Sequence, residues 1–285
     1  MDRAVQKTDH DAAASKRSAI ERGYYQDKYL VLLCPTFEAR LPLINIGTWC
    51  RVRAIDETIT AFLSNNPQRA QIVSLGAGSD SRPFHLLPDH PGLVYHEVDF
   101  PVQTRKKAAK IRQHLASIVG MDEKSDIEYH TDRYHLHGQD LRTLNLMLED
   151  IPTLVISECC LCYLKPEDSQ RVIEHFAQQI TDLSVVLYEP IGLCDEFGRV
   201  MAENLMQRGL CLPTFQKFST LDAQSQRLRD LGLRWVQAVD METYFNQLPP
   251  AERARVAHLE FLDEVEEMNL LLRHYCVVQG STKPL

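Results

Sequence analysis

The sequence predicts an α/β fold on a mostly parallel sheet, and three observations carry that prediction. Short apolar runs without polar alternation recur along the chain, as in strands buried on both faces. Segments of helical periodicity separate them, which is the order of βαβ units. One apolar run empties into Gly76-Ala77-Gly78, and the next ends on Asp99, as when strands turn their carboxyl ends toward a ligand.

Two helical segments come first, over residues 10–25 and 46–63. In the second, Val52, Ile55, Ile59, Phe62 and Leu63 form an apolar stripe with Arg51 at its edge. Strands follow at 71–75, 93–98, 134–138, 153–157 and 183–188, the third being the weakest pattern, with helices at 101–119 and 166–180. After Pro190 the alternation breaks into consecutive helices at 195–209 and 219–231. A strand at 234–238, a long helix over 249–272 and a last strand at 274–279 complete a sheet of seven. Val256, Leu259, Leu262, Val265 and Met268 are the expected buried stripe of the long helix. The acids among them, Glu260, Asp263, Glu264, Glu266 and Glu267, read as a solvated face, with a docking surface for a basic partner as the alternative.

The chain has 285 residues, no internal repeat and no Pro/Gly/Ser-rich linker, which favours one domain with additions at its edges. Those parts are expected at 1–66 (a helical lid), 67–190 (the ligand-binding core), 191–232 (a helical cap) and 233–285. With 44% hydrophobic residues the chain can bury a substantial core, which excludes disorder. A net charge of −8 argues against nucleic acid or an anionic membrane as the main partner, while leaving room for a local basic pocket. No apolar stretch approaches the ~20 residues of a membrane span. The opening MDRAVQKTDHDAAASK lacks a secretory h-region, so a cytoplasmic protein with eight reduced cysteines is expected.

The strongest local signal is QIVSLGAGSDSRP, residues 71–83, where glycines let backbone approach a ligand. The dinucleotide pattern G-x-G-x-x-G is incomplete, because Ser81 holds its third position. Asp99, 23 residues beyond Gly76, can accept both hydroxyls of a ribose, so a nucleoside site is expected. The following PVQTRKKAAK reads as a solvated basic helix, with a 2′-phosphate site as its alternative. No metal is expected. Cys159 and Cys162 have C-x-x-C spacing but no second pair, and His135, His137 and nearby His130 lack an H-E-x-x-H helix. A G-x-S-x-G elbow is absent, so serine hydrolysis has no support.

At this point the chain resembles the leucine carboxyl methyltransferase family, within the class I, Rossmann-like methyltransferases that use S-adenosylmethionine. The resemblance spans nearly the whole chain. It rests on KRSAIERGYY (16–25), INIGTWCRVRAID (44–56), QIVSLGAGSDSR (71–82), YHEVDFP (95–101), GQDLR (138–142), PTLVISECCLCYL (152–164), DEFGRVMAENL (195–205) and LEFLDEVEEM with HYCV (259–277). The resemblance implies methylation of the α-carboxylate of the C-terminal leucine on type 2A protein phosphatase catalytic subunits. It also implies a seven-stranded sheet with cofactor contacts at Lys16, Arg51, Gly76, Gly78, Asp99, Asp140, Leu141 and Glu158.

Within that resemblance, Asp140 would accept from the adenine amine, the Leu141 N–H would serve a ring nitrogen, and Gly76 would leave room for the methionine moiety. Glu158 would pair with the cofactor ammonium. Asp140 as a helix cap and Glu158 as a solvated strand-end charge are the competing readings. Lys16, Arg51 and Tyr163 are the donors expected at the acceptor carboxylate, although some could instead hold the cofactor's own carboxylate. The 25–41 connection is shorter than in some family members, which bears on the lid. Competing functions are a carboxyl methyltransferase of a hypermodified tRNA base or a small acid, and a non-catalytic fold that binds a phosphatase.

Overall fold

The computed structural model describes residues 2–122 and 124–284. Its centre is an eight-stranded sheet: β1 (Ala70–Leu75), β2 (Leu93–Asp99), β3 (Tyr129–His130), β4 (Tyr134–Gly138), β5 (Thr153–Glu158), β6 (Leu183–Pro190), β7 (Trp235–Asp240) and β8 (Tyr275–Ser281), in the order β3-β4-β2-β1-β5-β6-β8-β7. The five strands from β4 to β6 are parallel, β8 runs antiparallel between β6 and β7, and β3 is an antiparallel edge. The sequence predicts seven strands. The eighth, β3, is two residues long, too short for any periodicity to mark.

All residues of β1 and β6 are buried, which explains their unbroken apolar runs. β1 pairs with β2 on one side and β5 on the other, so the order of winding reverses beside it. Such a switch point opens a crevice at the carboxyl ends of the strands. Gly76 follows β1, Asp99 ends β2 and Glu158 ends β5, so three distant segments deliver their ends to one place.

Helices cover both faces. α1 (Asp2–Glu21) and α2 (Pro42–Asn65) precede the sheet, and each begins well before its expected start. In α2, Pro42 at the first turn supplies the helical φ, and the expected stripe of Val52, Ile55, Ile59, Phe62 and Leu63 is buried. α3 (Arg82–Asp89), α4 (Pro101–His114) and α5 (Pro166–Ala177) belong to the alternating core. The expected cap region contains α6 (Glu196–Gln207) and α7 (Leu221–Arg229), with a short turn of helix at Pro213–Lys217 between them.

The long helix expected over 249–272 is two, α8 (Pro250–Ala257) and α9 (Val265–Arg273). Tertiary bonding accounts for the break: buried Asn45 donates to Glu260 Oε2 at 2.7 Å, and Arg22 reaches the same carboxylate at 3.4 Å. Asn45 Nδ2 also donates to Arg40 O at 3.3 Å, and a hydrogen bond to a charged group such as Glu260 is worth about 1.5–3 kcal/mol, enough to compete with local helix propensity. Of the expected stripe, Val256 and Met268 are buried, whereas Val265 is exposed. No helix among the described residues is long and apolar enough to cross a membrane.

Candidate active site

A cleft of about 530 Å³ lies at the strand ends, lined by all nine residues singled out from the sequence: Lys16, Arg51, Gly76, Gly78, Asp99, Asp140, Leu141, Glu158 and Tyr163. The glycine turn is tight for a physical reason. Gly76 and Gly78 have φ of 62° and 48°, and a Cβ on them would stand 2.4 Å from Cys160 Sγ and 2.3 Å from Asp9 Oδ1. Any side chain there would displace both the floor of the cleft and α1.

Asp99 is held rigidly. Its carboxylate accepts from the Gly78 and Phe100 backbone N–H groups, each at 2.7 Å. Burial pushes its pKa up to about 6 against those two donors. Asp140 caps a 3-10 turn, Leu141–Thr143, by accepting from the Arg142 N–H at 2.9 Å. The Arg142 guanidinium binds both oxygens of Asp140 and reaches Asp2 at 2.9 Å. The capping role weighed for Asp140 from sequence is therefore present, at the cleft wall.

Glu158 is the electrostatic centre. Arg51 Nε lies 2.5 Å from its Oε1, Lys16 Nζ 3.0 Å from Oε1, and Arg82 Nη1 2.8 Å from Oε2. Burial alone would raise this carboxyl, yet the cations of Arg51, Lys16 and Arg82 hold it well below the usual range. The solvated strand-end reading of Glu158 is thus corrected. Arg51 also lies over the Tyr188 ring, 5.2 Å from its centroid, and Tyr188 stacks on Tyr275 at 5.5 Å.

Tyr163 ends the 3-10 turn Leu161–Tyr163 and lines the cleft. Burial raises its phenol, so it stays an O–H donor. Before that turn, Cys159 has φ 51°, a left-handed conformation rare for a side chain of this size. Ile44, Leu271 and Leu272 add apolar side chains to the cleft lining, and Tyr275 lines it beside Tyr188.

The profile of the leucine carboxyl methyltransferase family matches residues 4–177. The chain is 42% identical to leucine carboxyl methyltransferase 1 of Yarrowia lipolytica over 98% of its own length and 97% of the relative's. It is 34% identical to the Bos taurus protein of the same name, covering 97% and 89%. The chain belongs to the leucine carboxyl methyltransferase family. In fold it is similar to the magnesium protoporphyrin IX methyltransferase of Synechocystis with bound S-adenosylmethionine, at a TM-score of 0.50, 11% identity and coverage of 98% and 97%. It is accordingly a methyltransferase by family, with an α/β fold like that enzyme's.

The residues present in this methyltransferase fit that cofactor. The glycine turn is a cradle that any Cβ would fill, Asp99 offers a fixed acceptor to a ribose, and Glu158 offers an anion to an ammonium group. Two residues of the site were missed from sequence. Asp9 of α1 accepts from the Ser79 N–H at 2.6 Å and from Ser79 Oγ at 3.1 Å, and Arg82 joins the cluster at Glu158. Arg82 lies within the glycine-turn motif and Asp9 is one polar residue among many, and neither was singled out because each acts on partners distant in the sequence.

The motifs weighed as metal sites have other surroundings. Cys159, Cys160 and Cys162 are free thiols whose pKa burial pushes up. His135 and His137 do face one side of their strand, and His96, not anticipated, joins them with its Nδ1 3.1 Å from His137 Nε2.

Proposed function

We propose that this methyltransferase esterifies the α-carboxylate of the C-terminal leucine of a type 2A protein phosphatase catalytic subunit. One observation carries the reading: Lys16 and Arg51 converge on Glu158 in a cleft that the glycine turn and the apolar side chains of Ile44, Leu271 and Leu272 also line. Cations and apolar side chains in one cleft suit an acceptor that joins a carboxylate to an aliphatic side chain. The names of the relatives support a leucine carboxyl group as the acceptor.

S-adenosylmethionine, when bound, supplies a methyl group on a positively charged sulfur. Gly76, Gly78, Asp99, Asp140, Leu141 and Glu158 are the residues that would hold it. The protein's own task is positional. A terminal carboxylate has a pKa of about 3.5 and is ionised at neutral pH, so no general base is needed. Arg51, with its planar fork, holds the acceptor carboxylate, Lys16 adds a second charge, and the Tyr163 hydroxyl donates a further hydrogen bond. The apolar side chains of the cleft exclude water, which strengthens each of these contacts and keeps the reacting oxygen poorly solvated.

A single leucine offers little surface for selection, so the helical cap around α6 is proposed to touch the folded phosphatase as well. The experiment is transfer of labelled methyl from S-adenosylmethionine to a phosphatase catalytic subunit with and without its last leucine. Base-labile label on the intact tail alone is expected. Label independent of that leucine would overturn the acceptor, and equal methylation of a free tail peptide would overturn the surface contacts.

A further inference from the structure

Three cations meet Glu158, and they are tethered differently. Lys16 and Arg51 arrive from α1 and α2, and among the described residues their only carboxylate partner is Glu158. Arg82 is gripped from behind as well: its Nε lies 2.6 Å from Asp56 Oδ1, and its Nη1, besides reaching Glu158 Oε2 at 2.8 Å, lies 3.1 Å from Asp80 Oδ2. It is 8% exposed, and its Nη2 is buried with no partner among the described residues. Arg82 therefore cannot swing into the cleft without stranding the buried Asp80 and giving up its contact with Asp56.

The charges around this point balance, with Lys16, Arg51 and Arg82 against Glu158, Asp80 and Asp56. A bare ammonium approaching Glu158 must displace a cation already paired with it. An amino-acid group brings an ammonium and a carboxylate together, so a mobile cation can transfer to the carboxylate as the ammonium takes its place. Glu158 is already partly divided for that exchange: Arg51 uses Oε1 and Arg82 uses Oε2, while Lys16 Nζ bridges the two, 3.0 Å from Oε1 and donating to Oε2 at 3.2 Å.

We infer that Arg82 is a positioning residue: it holds Glu158 by Oε2 so that Oε1 can receive the ammonium of the cofactor's amino-acid moiety while Lys16 and Arg51 turn to carboxylates. This rests on the cofactor reading above, and makes Arg82 a determinant of how the zwitterionic end of the ligand is recognised. Asp56 and Asp80 serve the same end at one remove, by fixing Arg82.

The test compares two probes by equilibrium calorimetry on the full chain: S-adenosylhomocysteine, which carries the amino-acid group, and 5′-methylthioadenosine, which lacks it. Arg82→Gln is expected to weaken S-adenosylhomocysteine at least about ten-fold, the size of a lost charged hydrogen bond, while 5′-methylthioadenosine changes by less than about two-fold. Arg82→Lys should recover part of the loss. Asp56→Asn, at a half-exposed position, should show the same selectivity at smaller size, with KM for the cofactor raised and KM for the acceptor unchanged. Unchanged S-adenosylhomocysteine affinity, or parallel loss of both probes, overturns the inference. A wild-type protein that binds both probes equally would instead overturn the pairing of Glu158 with the ammonium.

Discussion

Asp9 accepts a hydrogen bond from the Ser79 backbone N–H at 2.6 Å, and in doing so latches the first helix onto the glycine turn of the first strand. The same carboxylate accepts from Gln103 Nε2 at 3.2 Å, so three elements meet over the cofactor cleft. Because α1 residues line the cleft, this contact is expected to slow the release of a bound ligand. Asp9→Ala is expected to raise the dissociation rate of S-adenosylhomocysteine about five-fold, as for loss of roughly 1 kcal/mol. Stopped-flow displacement measures it, and an unchanged rate would show that α1 does not gate the cleft.

Arg51 has a different role, because its fork is the one expected to meet the acceptor. Arg51→Ala is expected to lower kcat about 10²-fold, in the range found for loss of one charge-stabilising donor at a reacting centre. Arg51→Lys should fall between, since an ammonium lacks the planar bidentate geometry. Steady-state kinetics with saturating cofactor decides this, and equal rates for wild type and Arg51→Ala would remove Arg51 from the reaction.

Burial, with His130 and His135 nearby, lowers the His137 pKa to about 4 from 6.5, and burial lowers that of His96 to about 2. Glu128 faces His137 and opposes the shift, as Asp132 does at His135. Both depressed histidines are neutral in the fold, so their stability is complete above pH 6.5 and is lost as pH falls toward 4. His137→Gln should flatten the fall in Tm over that window. The effect is on the order of 1–2 kcal/mol once partial exposure is discounted. Parallel curves for wild type and variant, measured by thermal melts from pH 4.5 to 8, would contradict it.

Glu189 works in the opposite sense. It is fully buried with Oε2 unpaired, and burial lifts its pKa to about 7 despite Arg227 nearby. Its folded pKa is raised, so its contribution is complete below the unfolded carboxyl value and declines as pH rises through about 7. Glu189→Gln, which keeps the neutral form, is expected to raise Tm relative to wild type at pH 8, with the difference vanishing near pH 5. A difference independent of pH would mean that Glu189 does not titrate in this range.

Much of this site was legible before any fold was known. The run of residues 71–75 into Gly76 and Gly78, and the acid closing the next strand, are local signatures, because a strand-to-turn connection leaves its mark within a few residues. The continuous helix expected over 249–272 is a failure of the same method, since its apolar spacing is regular and the break comes from Asn45 capturing Glu260 across 215 residues of sequence. Arg82 escaped notice for a similar reason. Its three acidic partners come from α2, from the glycine turn and from the end of β5.

Hydrophobic periodicity and turn chemistry thus determined, from the sequence alone, that this chain forms a parallel sheet with a glycine cradle and an acid at the neighbouring strand end. Tertiary structure alone decided that Lys16, Arg51 and Arg82 share Glu158, at sequence separations of 142, 107 and 76 residues. The physical reason is range: apolar burial patterns are written residue by residue along each element. The partner of a buried charge depends instead on which element ends the strand order brings to one crevice, and on the cost of leaving any of them unpaired there.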